Sequence, residues 1–138
     1  MHPTLPPDYR PSEDEEFMNP AQHEYFRQKL LQWRRQLLKD TGETRNSLKE
    51  ENLAEPDLAD RATLETDRSL ELRTRDRQRK LINKIDSALR RIEDGTYGYC
   101  EETQNPISLR RLEARPIATL TIEAQEMHER MERTHRDD

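Results

Sequence analysis

A seam of apolar side chains at helical spacing constrains this chain more than any other feature. Between residues 26 and 48, apolar or small residues recur in steps of four or three. They are Phe26, Leu30, Trp33, Leu37, Thr41, Thr44 and Leu48, and the same spacing returns in Ile82, Ile85, Leu89 and Ile92. This spacing is typical of helices that pack against another helix. We therefore predict two long helices that face each other through these residues.

Antiparallel pairing of the two runs predicts where the chain reverses. The proposed pairs are Phe26–Ile92, Leu30–Leu89, Trp33–Ile85 and Leu37–Ile82. They place the reversal near residue 59, inside the octapeptide 55–62, where Pro56 ends the first helix. At a rise of about 1.5 Å per residue, each arm is about 50 Å long. The sequence thus predicts a hairpin with Asp57 and Asp60 at its tip, although a helix N-cap is the simpler role for either aspartate.

Capping residues predict the outer ends of both helices. Asn19 followed by Pro20 is an N-cap with proline at the first helical position, and the helix should reach about Asn52. Gly95 supplies a C-terminal stop for the second helix. The predicted organisation is an acidic, proline-rich arm over residues 1–19 that packs on a globular base, a coiled-coil hairpin over 20–95 with its tip at 55–62, a small globular region over 96–120 and a C-terminal helix over 121–138.

Composition excludes a large core and a substantial sheet. The chain is 38% charged and 30% hydrophobic, and it contains no valine, which is a strong strand former. Its predicted fold class is therefore all-α, with Trp33 as a core residue of the hairpin. One cysteine excludes an internal disulfide, and no apolar run approaches the length of a membrane span. We expect a soluble, cytoplasmic protein that does not bind membranes.

Charge is segregated along the chain. Residues 1–24 hold six acidic residues against Arg10 alone, whereas residues 68–91 hold nine basic residues against three acidic ones. Four of these bases share one helix face, and we call them the basic row: Arg73, Arg77, Lys80 and Lys84. Such a row can bind phosphates or a carboxylate-lined surface. A solvated helix face with no partner is the alternative interpretation.

No set of catalytic residues emerges from the sequence. The three glycines form no phosphate-binding motif, and the four histidines have no cysteine or carboxylate at ligand spacing. Cys100 has no histidine near it in sequence, which argues against a nucleophile. The protein is therefore predicted not to be an enzyme.

Several longer motifs resemble the DksA family of bacterial transcription factors, which bind RNA polymerase without binding DNA. The resemblance extends from about Tyr9 to about Glu126. Its most specific pieces are Asp57-x-x-Asp60-Arg61-Ala62, Ser69-Leu70-Glu71-Leu72-Arg73, Arg75-Asp76-Arg77, Arg79-Lys80-Leu81-Ile82, Tyr97-Gly98-Tyr99-Cys100-Glu101 and the run from Arg110 to Pro116.

The resemblance implies a fold and a mode of action. The fold is a coiled-coil hairpin on a small globular base, with a separate C-terminal helix. The hairpin enters the secondary channel of the polymerase, where Asp57, Asp60 and Ala62 act near the catalytic centre. Arg73, Arg77 and Lys80 would contact the channel rim. The implied outcome is destabilisation of open complexes at ribosomal RNA promoters and activation of some amino-acid biosynthesis promoters, by a protein expected to be monomeric.

The resemblance also implies a ligand, the nucleotide guanosine tetraphosphate (ppGpp), at the interface between factor and polymerase. The matching positions are Leu81, Lys84, Arg115 and Gln125. The last is a lysine in the best-known form of the family, so one of three cations is missing here. The loss should weaken an anion site without abolishing it.

The chain departs from the family at its usual zinc site, a set of four cysteines. The matching positions are Cys100, Thr103, Thr121 and Ala124, and one thiolate with two hydroxyls is not a structural zinc site. We expect no zinc, and a base held together by packing instead. The predicted core residues are Tyr97, Tyr99, Ile107, Leu109, Leu112, Ile117, Leu120 and Ile122.

Two alternatives remain open at this point. The same fold could rescue stalled or backtracked elongation complexes through its acidic tip. A generic coiled-coil adaptor could instead bind nucleic acid directly through the basic row, with a strong dependence on salt.

Overall fold

The described part of the chain forms four helices. A computed structural model describes the backbone of residues 2–52 and 58–137 and the side chains of residues 2–42 and 61–135. The helices are α1 (Pro20–Asn52), α2 (Leu58–Asp94), α3 (Leu109–Ala114) and α4 (Ile122–Asp137). Within these ranges there is no strand, only an isolated antiparallel bridge between Tyr99 and Pro106. The all-α prediction is confirmed.

Two compact units divide the chain. The first combines Met1–Leu30 with Ser87–Asp138, and the second is Leu31–Asp86. We call them the base unit and the hairpin unit. Among the described helices, none combines the length and the hydrophobicity that a membrane-spanning helix requires.

Local capping explains where α1 begins and where α2 ends. The Asn19 side chain accepts a hydrogen bond from the backbone N–H of Gln22 at 2.8 Å, as expected of an N-cap. At the other end, Gly95 has φ +80°, and its N–H donates to the carbonyl of Ile92. The N–H of Thr96 donates to the carbonyl of Arg91, which completes a Schellman motif. Both predicted ends are confirmed.

The hairpin unit consists of two antiparallel helical segments. Arg34 Nε lies 2.7 Å from Asp86 Oδ1, and Thr41 Oγ1 lies 3.1 Å from Gln78 Oε1. These contacts follow the predicted register. Within the seam, Leu37 and Ile85 are buried, whereas Trp33 and Ile82 are only half-buried. Trp33 was predicted to be a core residue, but a two-helix unit leaves one side of so large a side chain open to water.

The base unit contains the fully buried core. Phe26 and Leu30 of α1 are completely buried, as are Tyr97, Ile107 and Leu112. Tyr97 donates from its hydroxyl to the carbonyl of Pro116 at 2.7 Å, so its polar end is satisfied inside the core. Burial raises the pKa of this hydroxyl well above its usual range, which keeps it a donor.

Four of the eight residues predicted for this core are buried, and two of the predictions are wrong. The buried four are Tyr97, Ile107, Leu112 and Ile117, while Leu109 and Leu120 are half-buried. Tyr99 is 39% exposed, because its ring lies on the surface with its edge toward Phe17, at 5.3 Å between centroids. Ile122 is 49% exposed, because α4 turns Ala124 rather than Ile122 inward.

The N-terminal arm makes specific contacts with the rest of the base unit. The rings of Tyr9 and Tyr25 meet edge to face at 6.1 Å. Met18 is buried, and its backbone N–H donates to the completely buried side chain of Gln22 at 2.8 Å. The amide of Gln22 in turn donates to the carbonyl of Ser12 at 3.3 Å. One buried side chain therefore ties two points of the arm to the first turn of α1.

Candidate functional site

The basic row lies on the solvent-exposed side of α2. Arg73, Arg77, Lys80 and Lys84 are all exposed. The opposite side of the helix is half-buried. Its residues continue the seam spacing from Ile82 towards the N-terminus of α2, and they are Leu64, Arg68, Glu71, Arg75 and Gln78. Because the seam is polar here, the apolar contacts that fix the helices lie nearer Ile85. The row is thus a set of exposed cations on one face of a helix.

Two leucines next to the basic row face solvent. Leu70 is 53% exposed and Leu72 is 43% exposed. Leu70 borders a shallow depression whose other walls are Ala62, Glu65, Thr66, Ser69 and Arg73. The sequence interpretation missed this surface. The sequence does indicate it, because the seam spacing, continued from Ile82 through Gln78 and Glu71, does not include Leu70.

The predicted tip residues fall mostly outside the described residues. Ala62 is described, in the first turns of α2, and it is exposed. Asp57 lies outside the described residues, as does the side chain of Asp60. Of this predicted site, the exposed Ala62 and the depression beside it are the parts the structure describes.

The four positions predicted for the nucleotide are divided between the two units. In the hairpin unit, Leu81 is half-buried and Lys84 is exposed. In the base unit, Arg115 is exposed at the C-cap of α3. Gln125 is half-buried, and its amide donates to Glu129 at 3.3 Å. Its side chain is therefore held along α4 by a neighbour one helical turn away.

The comparisons with known proteins agree with this architecture. Residues 22–92 match the family described as DnaK suppressor protein DksA, N-terminal domain. Residues 95–130 match the prokaryotic dksA/traR C4-type zinc finger. A relative from Caulobacter vibrioides is 68% identical over 131 residues, which cover 95% of this chain and 92% of the relative. The chain belongs to the DksA family.

Other DksA proteins show the same relationship. The relative from Escherichia coli K12 is 46% identical over 121 residues, covering 88% of this chain and 80% of its own length. Both relatives are named RNA polymerase-binding transcription factor DksA. The solved structure of transcription factor DksA2 from Pseudomonas aeruginosa superposes with a TM-score of 0.81 at 42% identity, covering 85% of this chain and 90% of that one.

The DksA zinc-finger positions do not hold a zinc-binding set in this chain. Thr121 is the N-cap of α4, and its hydroxyl accepts the backbone N–H of Ala124 at 3.2 Å. The hydroxyl of Thr103 accepts the backbone N–H of Asn105 at 3.3 Å. The side chain of Ala124 has no atom that can bind a metal, and no group of three His, Cys, Asp or Glu side chains in the described residues could hold one. These donors do not fit a structural zinc ion, which requires four N or S ligands.

Cys100 is the one cysteine among the four positions that match the zinc ligands of the family, and it is almost completely buried. Burial alone raises the pKa of a thiol. Here hydrogen bonds from the Thr103 side chain and from the backbone N–H groups of Thr121, Thr103 and Glu102 outweigh burial and lower the pKa of Cys100 to about 7. The donors that surround the sulfur thus favour a thiolate.

Proposed function

We propose that this chain is a transcription regulator that binds RNA polymerase through the secondary channel. The hairpin unit would bring Asp57, Asp60 and Ala62 close to the active centre. There it would destabilise the open complexes of ribosomal RNA promoters and activate some amino-acid biosynthesis promoters. A cytoplasmic location is part of the proposal, because bacterial transcription takes place there.

The observation that carries the proposal is the 68% identity, over 95% of the chain, to a protein named RNA polymerase-binding transcription factor DksA. The exposed cations of the basic row support it, since Arg73, Arg77 and Lys80 could contact a carboxylate-lined partner. The absence of aromatic side chains from this row disfavours stacking on single-stranded nucleic acid.

Guanosine tetraphosphate is the proposed effector, bound between factor and polymerase by Leu81, Lys84, Arg115 and Gln125. Lys84 and Arg115 would supply positive charge to the phosphates. Gln125 would supply only an amide, which already has Glu129 as a partner. We expect a weaker response than a site with three cations would give.

Zinc independence is the third part of the proposal. Packing around Tyr97 and Leu112, the Thr121 cap and the contacts of the arm would replace the metal in holding the base unit together. None of these contacts requires a bound metal, so the base unit can be stable without zinc.

In vitro transcription from a ribosomal RNA promoter tests the proposal. Purified polymerase is assayed with the wild-type factor and with the double variant Asp57→Asn, Asp60→Asn, each with and without guanosine tetraphosphate. The expected result is inhibition by the wild type alone, with polymerase affinity nearly equal for the two proteins. Lys39→Met is a matched control, because this exposed lysine lies on α1, outside every proposed site.

Other outcomes identify the alternatives. Inhibition by both proteins would remove the tip aspartates from the mechanism. No inhibition by either, together with RNA cleavage in stalled complexes, would favour a rescue factor. Tight binding of the free protein to DNA, lost as salt rises, would favour a nucleic-acid adaptor.

A further inference from the structure

The short helix α3 is fastened to α1 at its C-terminal end. Lys29 of α1 donates from Nζ to the backbone carbonyl of Glu113 at 2.8 Å, and the same ammonium lies 3.3 Å from Glu113 Oε2. The hydroxyl of Tyr25, one turn earlier, donates to Glu113 Oε1. Two side chains of α1 therefore hold one residue of α3, by its backbone and by its carboxylate.

This fastening matters because a six-residue helix has little to hold its last turn. The last four carbonyls of any helix lack partners within it, and the negative end of the helix dipole lies there. The ammonium of Lys29 satisfies the carbonyl of Glu113 and places a positive charge at this end. The backbone N–H of Arg115 donates to the carbonyl of Arg111 at 2.7 Å, and this hydrogen bond closes the last turn of α3.

Arg115 follows directly as the C-cap of α3. Its backbone is held on both sides, since its carbonyl accepts the N–H of Ala118 at 3.0 Å and the next carbonyl, that of Pro116, accepts the Tyr97 hydroxyl. Its side chain is exposed, and its guanidinium has no hydrogen-bond or ion-pair partner among the residues that the structure describes. The backbone of Arg115 is thus fixed while its cation stays free.

We infer that Lys29 and Tyr25 are positioning residues for Arg115, which they hold through Glu113 so that its guanidinium is ready for the phosphates of the nucleotide. The inference rests on the proposed function, because it assumes that Arg115 binds guanosine tetraphosphate. A cation on a fixed backbone loses less entropy on binding than one on a mobile backbone, so the network raises affinity without touching the ligand.

The network also reaches the N-terminal arm. The Arg10 guanidinium and the Lys29 ammonium each lie 6.0 Å from the centre of the Tyr25 ring, and Tyr9 meets the same ring edge to face. Burial, with the hydrogen bond to Glu113, raises the pKa of Tyr25 to about 12, so its hydroxyl remains a donor across the physiological range. The arm therefore packs on the residue that holds α3.

The test measures the nucleotide concentration that gives half of the maximal effect on transcription with the polymerase–factor complex. Lys29→Met keeps the aliphatic stem and removes the ammonium, and it should raise this concentration up to roughly tenfold, the size expected when binding must itself order the residue that contacts the nucleotide. Inhibition without nucleotide, and the effect at saturating nucleotide, should stay unchanged. Lys29→Arg should restore the wild-type value, because a guanidinium can also donate to the Glu113 carbonyl.

Two further variants keep the result interpretable. Tyr25→Phe retains the ring that packs on Phe26 and removes only the hydroxyl, so it should shift the concentration in the same direction. Lys39→Met on the same helix should cause no shift. An unchanged concentration in Lys29→Met, with the response abolished in Arg115→Ala, would overturn the inference and leave the proposed function standing. A full response in Arg115→Ala would instead refute the nucleotide role of Arg115, and the inference with it.

Discussion

Met18 fills the space that Gly98 leaves open. A Cβ atom built on Gly98 would lie 2.9 Å from Met18 Cγ and 3.1 Å from its Cε. Both residues have positive φ, +53° for Met18 and +92° for Gly98. The methionine tolerates this conformation because its N–H donates to the buried side chain of Gln22. The arm and the segment 95–130, which matches the zinc-finger family, therefore fit together at a position where glycine leaves room for Met18.

We predict that Gly98→Ala destabilises the base unit by about 2–4 kcal/mol, through backbone strain and overpacking against Met18. Gly95→Ala is the matched control, since Gly95 also has positive φ but has nothing within 4 Å of the added Cβ. It should cost only about 1 kcal/mol. Chemical denaturation of the three proteins measures both losses. Equal losses would show that Met18 moves aside at no cost.

Gly42→Ala should stabilise the protein rather than destabilise it. Gly42 lies inside α1, and nothing approaches within 4 Å of an added Cβ. Alanine lowers the conformational entropy of the unfolded chain, so we expect a gain of about 0.5–1 kcal/mol in the free energy of unfolding. The melting temperature and the helical signal of the variant measure the effect. A lower melting temperature would contradict a regular helix at this position.

Stability should fall at high pH because of His128. Its ring is paired with the Glu102 carboxylate, which raises the pKa of His128 above its ordinary value of 6.5, and the charges of Glu132 and Glu101 add to the effect. The pair stabilises the folded protein fully at pH values below the pKa that His128 has in the unfolded chain. That contribution is lost as the pH rises through the pKa of His128 in the folded protein. Melting curves from about pH 5.5 to about pH 8.5 should therefore show a decline that His128→Asn lacks.

His135→Asn, on the same helix, is the matched control for this experiment, and it should retain the wild-type decline. Glu102→Gln should behave like His128→Asn, since either change removes the pair. A decline that survives in both variants would place the titrating group elsewhere.

Metal removal should leave the fold intact. A structural zinc site contributes on the order of 10 kcal/mol to folding, so a chelator unfolds proteins that depend on one. Cys100, Thr103, Thr121 and Ala124 do not provide that site, and the melting temperature should be the same with chelator and with added zinc. Circular dichroism during heating provides the measurement. A large loss of helical signal in chelator would reveal a metal site formed by other residues.

Leu70 should contribute to polymerase binding without contributing to stability. Its side chain is half exposed beside Arg73. Burying the exposed part in an interface is worth about 1–1.5 kcal/mol, so Leu70→Ser should weaken polymerase affinity about five- to tenfold at an unchanged melting temperature. Leu38→Ser, which removes a leucine of similar exposure from α1, is the control. Equal affinity of both variants and the wild type would exclude Leu70 from the interface.

The helix ends and the helix register follow from the amino-acid sequence alone. Asn19 and Gly95 end the helices through hydrogen bonds to residues three to five positions away, so these ends are decided locally. The seam spacing likewise predicted the antiparallel pairing that the Arg34–Asp86 contact follows. The family and the missing zinc ligands could also be identified from the sequence, because motifs and residue types do not depend on the fold.

Which apolar residues are buried in the base unit depends instead on tertiary contacts. Tyr99 and Ile122 face solvent although their residue types predict a core, because burial depends on contacts with segments far away in sequence. The same holds for Met18 against Gly98 and for Lys29 on the carbonyl of Glu113. No periodicity encodes such contacts, since they form only where the folded chain brings distant residues together.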